Sequence, residues 1–153
     1  MAASVVYLPS FYFSLQILGD SSDAAFQEAS GLSKEMGVEE VVSGGGNFFK
    51  YRLPTGTSYP NLVLKRGITG DASPLLEWCQ ATLEGGVSVP IQTRNLVLQL
   101  LNEAGQASIT WNFVGAYPVK LATSDLKSQE SNIVIETMEF AYQYFSTADV
   151  RIQ

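Results

Sequence analysis

The sequence predicts a mainly β domain with a single helix at its edge. Short runs of β-branched, aliphatic and aromatic residues recur along the chain, each bounded by Gly, Pro, Asn or other polar turn residues. Only one stretch carries apolar residues at helical spacing. The 153 residues, 46% of them hydrophobic, suffice for one domain with a buried core, so residues 1–153 are read as a single β domain.

The elements follow in order. Residues 11–18 form a strand ended by Gly19-Asp20, and 26–32 form a short strand running into a turn. Strands over 39–42 and 48–53 flank Ser43, Gly44, Gly45, Gly46 and Asn47, a long hairpin tip. The next strand, 59–68, opens on Tyr59-Pro60-Asn61, and proline is tolerated at a strand's first residue because no ladder bond is lost there. The helix is expected over about 73–84, with Ser73 as N-cap and Pro74 at the first helical position. Leu75, Leu76, Cys79 and Leu83 mark its buried face, and Gly85-Gly86 stops it. Strands over 94–101 and 107–114 make a hairpin in which Ile109, Trp111 and Phe113 alternate with Thr110, Asn112 and Val114. Tyr117-Pro118 opens a further strand over 119–126. Residues 132–145 then read as one long strand, apolar on both faces and covered on both sides.

Composition excludes much chemistry. The net charge is −6 and Lys65-Arg66 is the only adjacent basic pair, so tight nucleic-acid binding through a cationic face is not expected. The longest apolar run is too short to span a bilayer, and no membrane insertion is expected. Met1-Ala2-Ala3-Ser4 carries neither the charged nor the apolar region of a secretory signal, so synthesis in the cytoplasm is expected. There is no histidine, which removes the commonest general base and metal ligand. The lone cysteine, Cys79, falls on the buried helix face and reads as a structural thiol rather than a nucleophile. Gly44-Gly45-Gly46 is followed by Asn47-Phe48-Phe49 and a strand, not by the Lys-Ser/Thr and helix of a phosphate loop. Glu39 and Glu40 point to opposite faces of a strand, and Glu136 with Glu139 reads as surface or interface charge. No catalytic residue, metal or cofactor is expected, and the chain reads as a non-enzyme.

Charged residues are 16% of the chain, against roughly 25% in ordinary soluble domains. Long strands with few lysines to guard their edges invite pairing. Either the sheets close on themselves as a barrel or sandwich, or neighbouring subunits complete them. Head-to-tail association that closes gives a ring.

The chain resembles the tail tube proteins of contractile phages and of related bacterial contractile injection systems, over roughly residues 11–145. The resemblance rests on Ser30-Gly31-Leu32, the Gly44–Asn47 tip, the stretch from Tyr59 to Gly67, and Glu77-Trp78 in the helix. It continues through Leu100-Leu101-Asn102-Glu103 with Gly105, Trp111-Asn112-Phe113 leading to Ala116-Tyr117-Pro118, and Ile135-Glu136 with Met138-Glu139. The resemblance implies two packed antiparallel sheets forming a barrel-like domain with one peripheral helix and a long hairpin. It further implies a homo-oligomer: hexameric rings stacked around a lumen that passes a cargo effector or DNA, with sheath, spike and baseplate proteins as partners in a phage tail-like particle. The hairpin would supply the inter-ring contact, through Ser43, Gly44, Gly45, Gly46, Asn47, Leu53, Pro54, Thr55 and Gly56. Leu62, Val63, Leu64, Lys65 and Arg66 would form a ring-wall strand, and parts of 39–53 and 59–68 would line the lumen. Family members often carry Leu-Pro-Gly where this chain has Leu53-Pro54-Thr55, so a different turn geometry is expected there. Relatives are also usually more charged where this chain has Val41-Val42-Ser43.

Three alternatives stand beside the repeating tube subunit. One is a specialised initiator ring joining tube to spike and baseplate. The second, of a different class, is a small β-barrel carrier of an apolar ligand. The third is a hydrolase using Glu136 and Glu139.

Overall fold

Alternation of apolar and polar side chains decides which face of each strand turns inward, and antiparallel strands in two layers result. The protein is represented by a computed structural model that describes residues 11–20, 23–42, 49–68, 73–88, 90–125 and 134–149. The chain runs β1 (Tyr12–Ile17), β2 (Asp23–Phe26), β3 (Glu28–Ser30), β4 (Glu35–Val42), β5 (Lys50–Ser58), β6 (Leu62–Gly67), α1 (Pro74–Gly85), β7 (Arg94–Leu101), β8 (Ala107–Thr123), β9 (Ile135–Ala141) and β10 (Tyr144–Asp149). A 3-10 turn, Gly86–Ser88, follows the helix.

One layer is ordered β2–β1–β7–β8–β10 and the other β8–β9–β6–β3, so β8 belongs to both. The 17-residue β8 pairs β7 and β10 through its first half and β9 through its second. Between the halves lies Gly115, whose φ of +66° is a left-handed conformation that glycine adopts without steric penalty. Its N–H donates to Asn95 Oδ1 at 3.1 Å. The returning chain bends at the same level: β9 ends at Ala141, the Gln143 N–H donates to Val114 O at 2.9 Å, and β10 continues along β8. Strands that switch layers at such bends make the corners of orthogonal packings.

A similar switch separates β2 from β3, where Gln27 alone intervenes and its N–H donates to Lys65 O at 3.0 Å. The strand order therefore begins and ends on one continuous segment, and the sheet curls back on itself. Among the described residues no ladder joins its two ends, so the domain is barrel-like without being a closed barrel.

The inward faces form the core. In one layer Phe13 lies opposite Phe26 and Leu100, Leu15 opposite Leu98, Leu98 opposite Trp111, and Leu96 opposite Phe113. In the other, Leu62 and Leu64 face Phe140 and Met138 across the β6–β9 ladder. Leu62, Leu64, Leu96, Leu98, Phe113, Met138 and Phe140 are all fully buried, and each such side chain contributes about 1.5–3 kcal/mol of burial.

The helix begins as its sequence dictates: the Leu76 N–H donates to Ser73 Oγ at 3.2 Å, and Pro74 opens the first turn. It buries Leu75, Trp78 and Cys79. Trp78 stacks on Phe140 of β9 (5.8 Å between centroids, 20° between planes), and its Nε1 donates to Gln92 O at 3.1 Å.

Several expectations are corrected. Leu83 is 38% exposed and Trp78 takes its place on the inner face, because the aromatic stack on Phe140 sets the helix's rotation. Strands expected over 107–114 and 119–126 are one strand, β8, since Pro118 sits at a bulge where its missing N–H is tolerated. The single strand expected over 132–145 is two, broken at Tyr142-Gln143 by the corner. The strand over 26–32 is split at Gln27, and 39–42, 48–53 and 59–68 become Glu35–Val42, Lys50–Ser58 and Leu62–Gly67. In β9, Met138 and Phe140 are buried while Ile135, Thr137, Glu139 and Ala141 on the other face are half-buried.

Gly31 lets the chain leaving β3 lie against the entry to its neighbour β6. Its φ is +86°, and a Cβ placed there would collide with the backbone carbonyl oxygen of Asn61 at the entry to β6. We expect Gly31→Ala to destabilise the fold by more than about 1 kcal/mol, through both the backbone conformation and the collision. A urea midpoint unchanged from the parent chain would refute this.

Candidate assembly surfaces

The β4–β5 hairpin stands apart from both layers: its strands form a two-stranded sheet of their own. All nine residues of β5 are exposed, as are all of β4 except Gly37. A lone two-stranded hairpin is marginal in water, and this one exposes Val38, Val41, Val42, Tyr51 and Leu53.

Its register separates two faces, because directly opposed residues share a face. Val41 lies opposite Tyr51 and Glu39 opposite Leu53. Phe49, two residues before Tyr51, meets it edge-on with 5.5 Å between ring centroids. That face is aromatic and aliphatic toward the tip, and β4, which is not bulged, adds the carboxylates of Glu39 and Glu35 to it. On the other face Glu40 lies opposite Arg52 and Val42 opposite Lys50, and Lys50 Nζ approaches Glu40 at 3.6 Å. The latter is an exposed ion pair, worth at most about 1 kcal/mol. A bulge between Gly37 and Val38 shifts the register, leaving Thr55 as the extra residue between Gly56 and Pro54. A Cβ on Gly37 would collide with Thr55 Oγ1.

Of the residues expected at the inter-ring contact, Ser43, Gly44, Gly45, Gly46 and Asn47 lie outside the described residues. Leu53, Pro54, Thr55 and Gly56 are all in β5. The turn expected at Leu53-Pro54-Thr55 is instead extended strand, the proline being accommodated beside the bulge. Sequence reasoning missed Phe49, Tyr51 and Glu39 as members of one face. The strict alternation Phe49-Lys50-Tyr51-Arg52-Leu53 is the signal that distinguishes the faces.

The expected wall strand is β6, and its residues divide. Leu62, Leu64 and Arg66 point into the core, while Val63 and Lys65 point out. Arg66 is buried: its Nε donates to Glu136 Oε2 at 3.0 Å, and its guanidinium lies over Phe26 at 5.0 Å from the ring centre. Lys65 sits opposite Glu28 and Thr137, and Glu139 opposite Val63 and Lys120. Glu136 and Glu139 thus occupy opposite faces of β9 and do not share a cleft.

Reactive chemistry is suppressed where it could arise. Burial, and then the Glu136 carboxylate, push the Cys79 thiol up to about 12, with Arg66 partly opposing them. Burial, then Tyr59, push the Tyr142 phenol up to about 12 as well. Both stay neutral at ordinary pH. Among the described residues no three His, Cys, Asp or Glu side chains gather as a metal site, and no helix is long and apolar enough to cross a membrane.

A packed β core from which an exposed two-faced hairpin stands apart defines the class: a β domain with an uncovered surface for assembly. The family model described as T4-like virus tail tube protein gp19 matches residues 9–146, and the chain belongs to that family. Among solved structures it is similar to a chain of the anti-feeding prophage baseplate, at 28% identity over 99% of this chain and 100% of that one, with a TM-score of 0.79. It also shares its fold with a chain of the sheath–tube complex of an extracellular contractile injection system, PVC (19% identity, 94% and 93% covered, TM-score 0.76). Hcp1 from Flavobacterium johnsoniae has the same fold more distantly (16%, 90% and 95%, TM-score 0.51). A search of curated protein sequences found no match.

The Arg66–Glu136 pair joins β6 to β9 with both side chains nearly buried. Removing one partner strands the other charge, so Glu136→Leu should cost about 3 kcal/mol, while Arg66→Met with Glu136→Leu recovers most of it. Chemical denaturation of the three chains checks this, and a double variant no better than the single one contradicts it.

Proposed function

We propose that the chain is the repeating structural subunit of the inner tube of a contractile injection system or phage-like tail, assembling into hexameric rings that stack around a lumen. The observation that carries this is the β4–β5 hairpin, whose aromatic face is uncovered and whose strands, among the described residues, pair with each other and with no other strand. Such a surface needs a partner, and family membership supplies the context. The whole chain works as one tube domain, and the hairpin, with Ser43 to Asn47 at its tip and Leu53 to Gly56 in its second strand, is the inter-ring contact. Leu62, Leu64 and Arg66 hold the ring wall from within while Val63 and Lys65 face outward. Sheath, spike and baseplate proteins are the partners, and a cargo effector or DNA passes through the lumen. Synthesis and assembly take place in the cytoplasm before incorporation into the tail-like particle. The subunit carries no catalytic role.

A second reading, a tube-initiator ring at the baseplate, draws support from the higher identity to a chain of a baseplate structure, 28% against 19% for the sheath–tube complex. Negative-stain microscopy and sizing of the purified protein separate the readings. Long tubes are expected of a repeating subunit, rings that do not stack alone of an initiator, and monomers at every concentration of neither. Deleting Ser43 to Asn47 should leave rings but prevent stacking. Tubes of normal length from that deletion would sink the hairpin assignment.

A further inference from the structure

The same chain carries a second uncovered apolar surface, a groove beside the helix. Trp78, Ala81 and Thr82 of α1 and Pro90, Ile91 and Gln92 ahead of β7 enclose a groove of about 330 Å³. Ile91 is half exposed, and Val87 on the intervening 3-10 turn is fully exposed. Trp78 is held rigidly at the floor by Phe140 and by its bond to Gln92 O. The Arg94 guanidinium lies 5.9 Å from the centre of its ring.

Among the described residues the hairpin and the groove do not meet within one chain, because none of β4 or β5 lines the groove and nearly all of their residues are exposed. Their charges are complementary. The hairpin's aromatic face carries carboxylates, Glu39 opposite Leu53 and Glu35 further along β4, and the Arg94 cation lies beside the groove's tryptophan. Among the described residues no ion pair engages Glu39 or Arg94.

We infer that the Phe49–Tyr51–Leu53 face of one copy's hairpin docks into the Trp78–Ile91 groove of the next copy, with Glu39 meeting Arg94. This rests on the hairpin being an inter-ring contact and names the surface that receives it. The contact is heterologous, so it repeats from copy to copy rather than pairing two copies off. Aromatic anchors entering a preformed pocket are where binding energy concentrates, and the charge pair fixes register more than affinity.

Charge exchange and cross-linking test it. Glu39→Arg and Arg94→Glu should each raise the protein concentration at which sedimentable tubes first form by roughly tenfold, the equivalent of about 1.4 kcal/mol. The two together in one chain should bring that concentration back to the parent's, since every contact again joins opposite charges. A Tyr51→Cys chain mixed with an Ala81→Cys chain should form a mixed disulfide dimer on assembly, and mixed with Asp125→Cys it should not. Cys79 stays silent in the assay because it is buried and its thiol pKa is high. Tyr51→Asp reports on the hairpin separately. If it stacks normally, the hairpin role fails and this inference with it. If it blocks stacking but the double charge exchange does not rescue and Ala81→Cys cross-links no better than Asp125→Cys, the groove is not the receptor and the hairpin role stands.

Discussion

Everything in the fold depends on β8 being able to bend. A straight strand of 17 residues could belong to only one layer, yet β8 pairs β7 and β10 with its first half and β9 with its second. Gly115 makes the bend, Ala116 is completely buried at the corner, and the chain returning from β9 turns at Gln143 beside it. A Cβ on Gly115 would press within 3.0–3.1 Å of the Gln143 side chain, so the two turns are packed against each other. Trp111 and Phe113 before the corner build one half of the core, and Leu121 after it packs against the other. Phe140 then receives Trp78, which sets the helix's rotation and the floor of the groove beside it. The surface at the helix is thus a consequence of the corner, several steps removed.

Local chemistry was legible in the sequence, and non-local chemistry was not. The helix start was readable because Ser73 and Pro74 act within one turn of themselves. The hairpin joining β7 and β8 was readable because alternation over 107–114 is a short-range pattern. The corner was not, since a bend that keeps both strands paired has no turn composition. Tyr117-Pro118 looked like the opening of a new strand, while the partner strand, without such residues at Tyr142-Gln143, looked continuous. Both misreadings fall at the same place in space. Leu83 and Trp78 exchanged places for a related reason: helical spacing identifies an apolar stripe, but a stacked tryptophan decides which edge of it turns inward.

The candidate site was legible in its position and obscure in its faces. Glycines at 44–46 located a hairpin, but the residues carrying its character lie on its strands, where a shift of one position exchanges the faces. The bulge at Gly37/Val38 introduces such a shift, and nothing short of the register shows where. β6 illustrates the same limit. Lys65 and Arg66 are adjacent cations in sequence, but one is half-buried on the outer face and the other is buried against Glu136.

Where the chain leaves apolar residues uncovered bears on how the tube meets water. The Arg66–Glu136 pair is satisfied inside a single copy, so the domain's folding is complete without a neighbour at that point. The hairpin is the opposite case, with Glu40, Lys50 and Arg52 beside Val38 and Val42 on one face, and Glu39 beside Val41, Phe49, Tyr51 and Leu53 on the other. Burying the aromatic face against a second copy leaves the charged face in water, whichever copy receives it. Opposite charges interleave there, with Lys50 close to Glu40 and Arg52 opposite it, so the face presents no block of one sign.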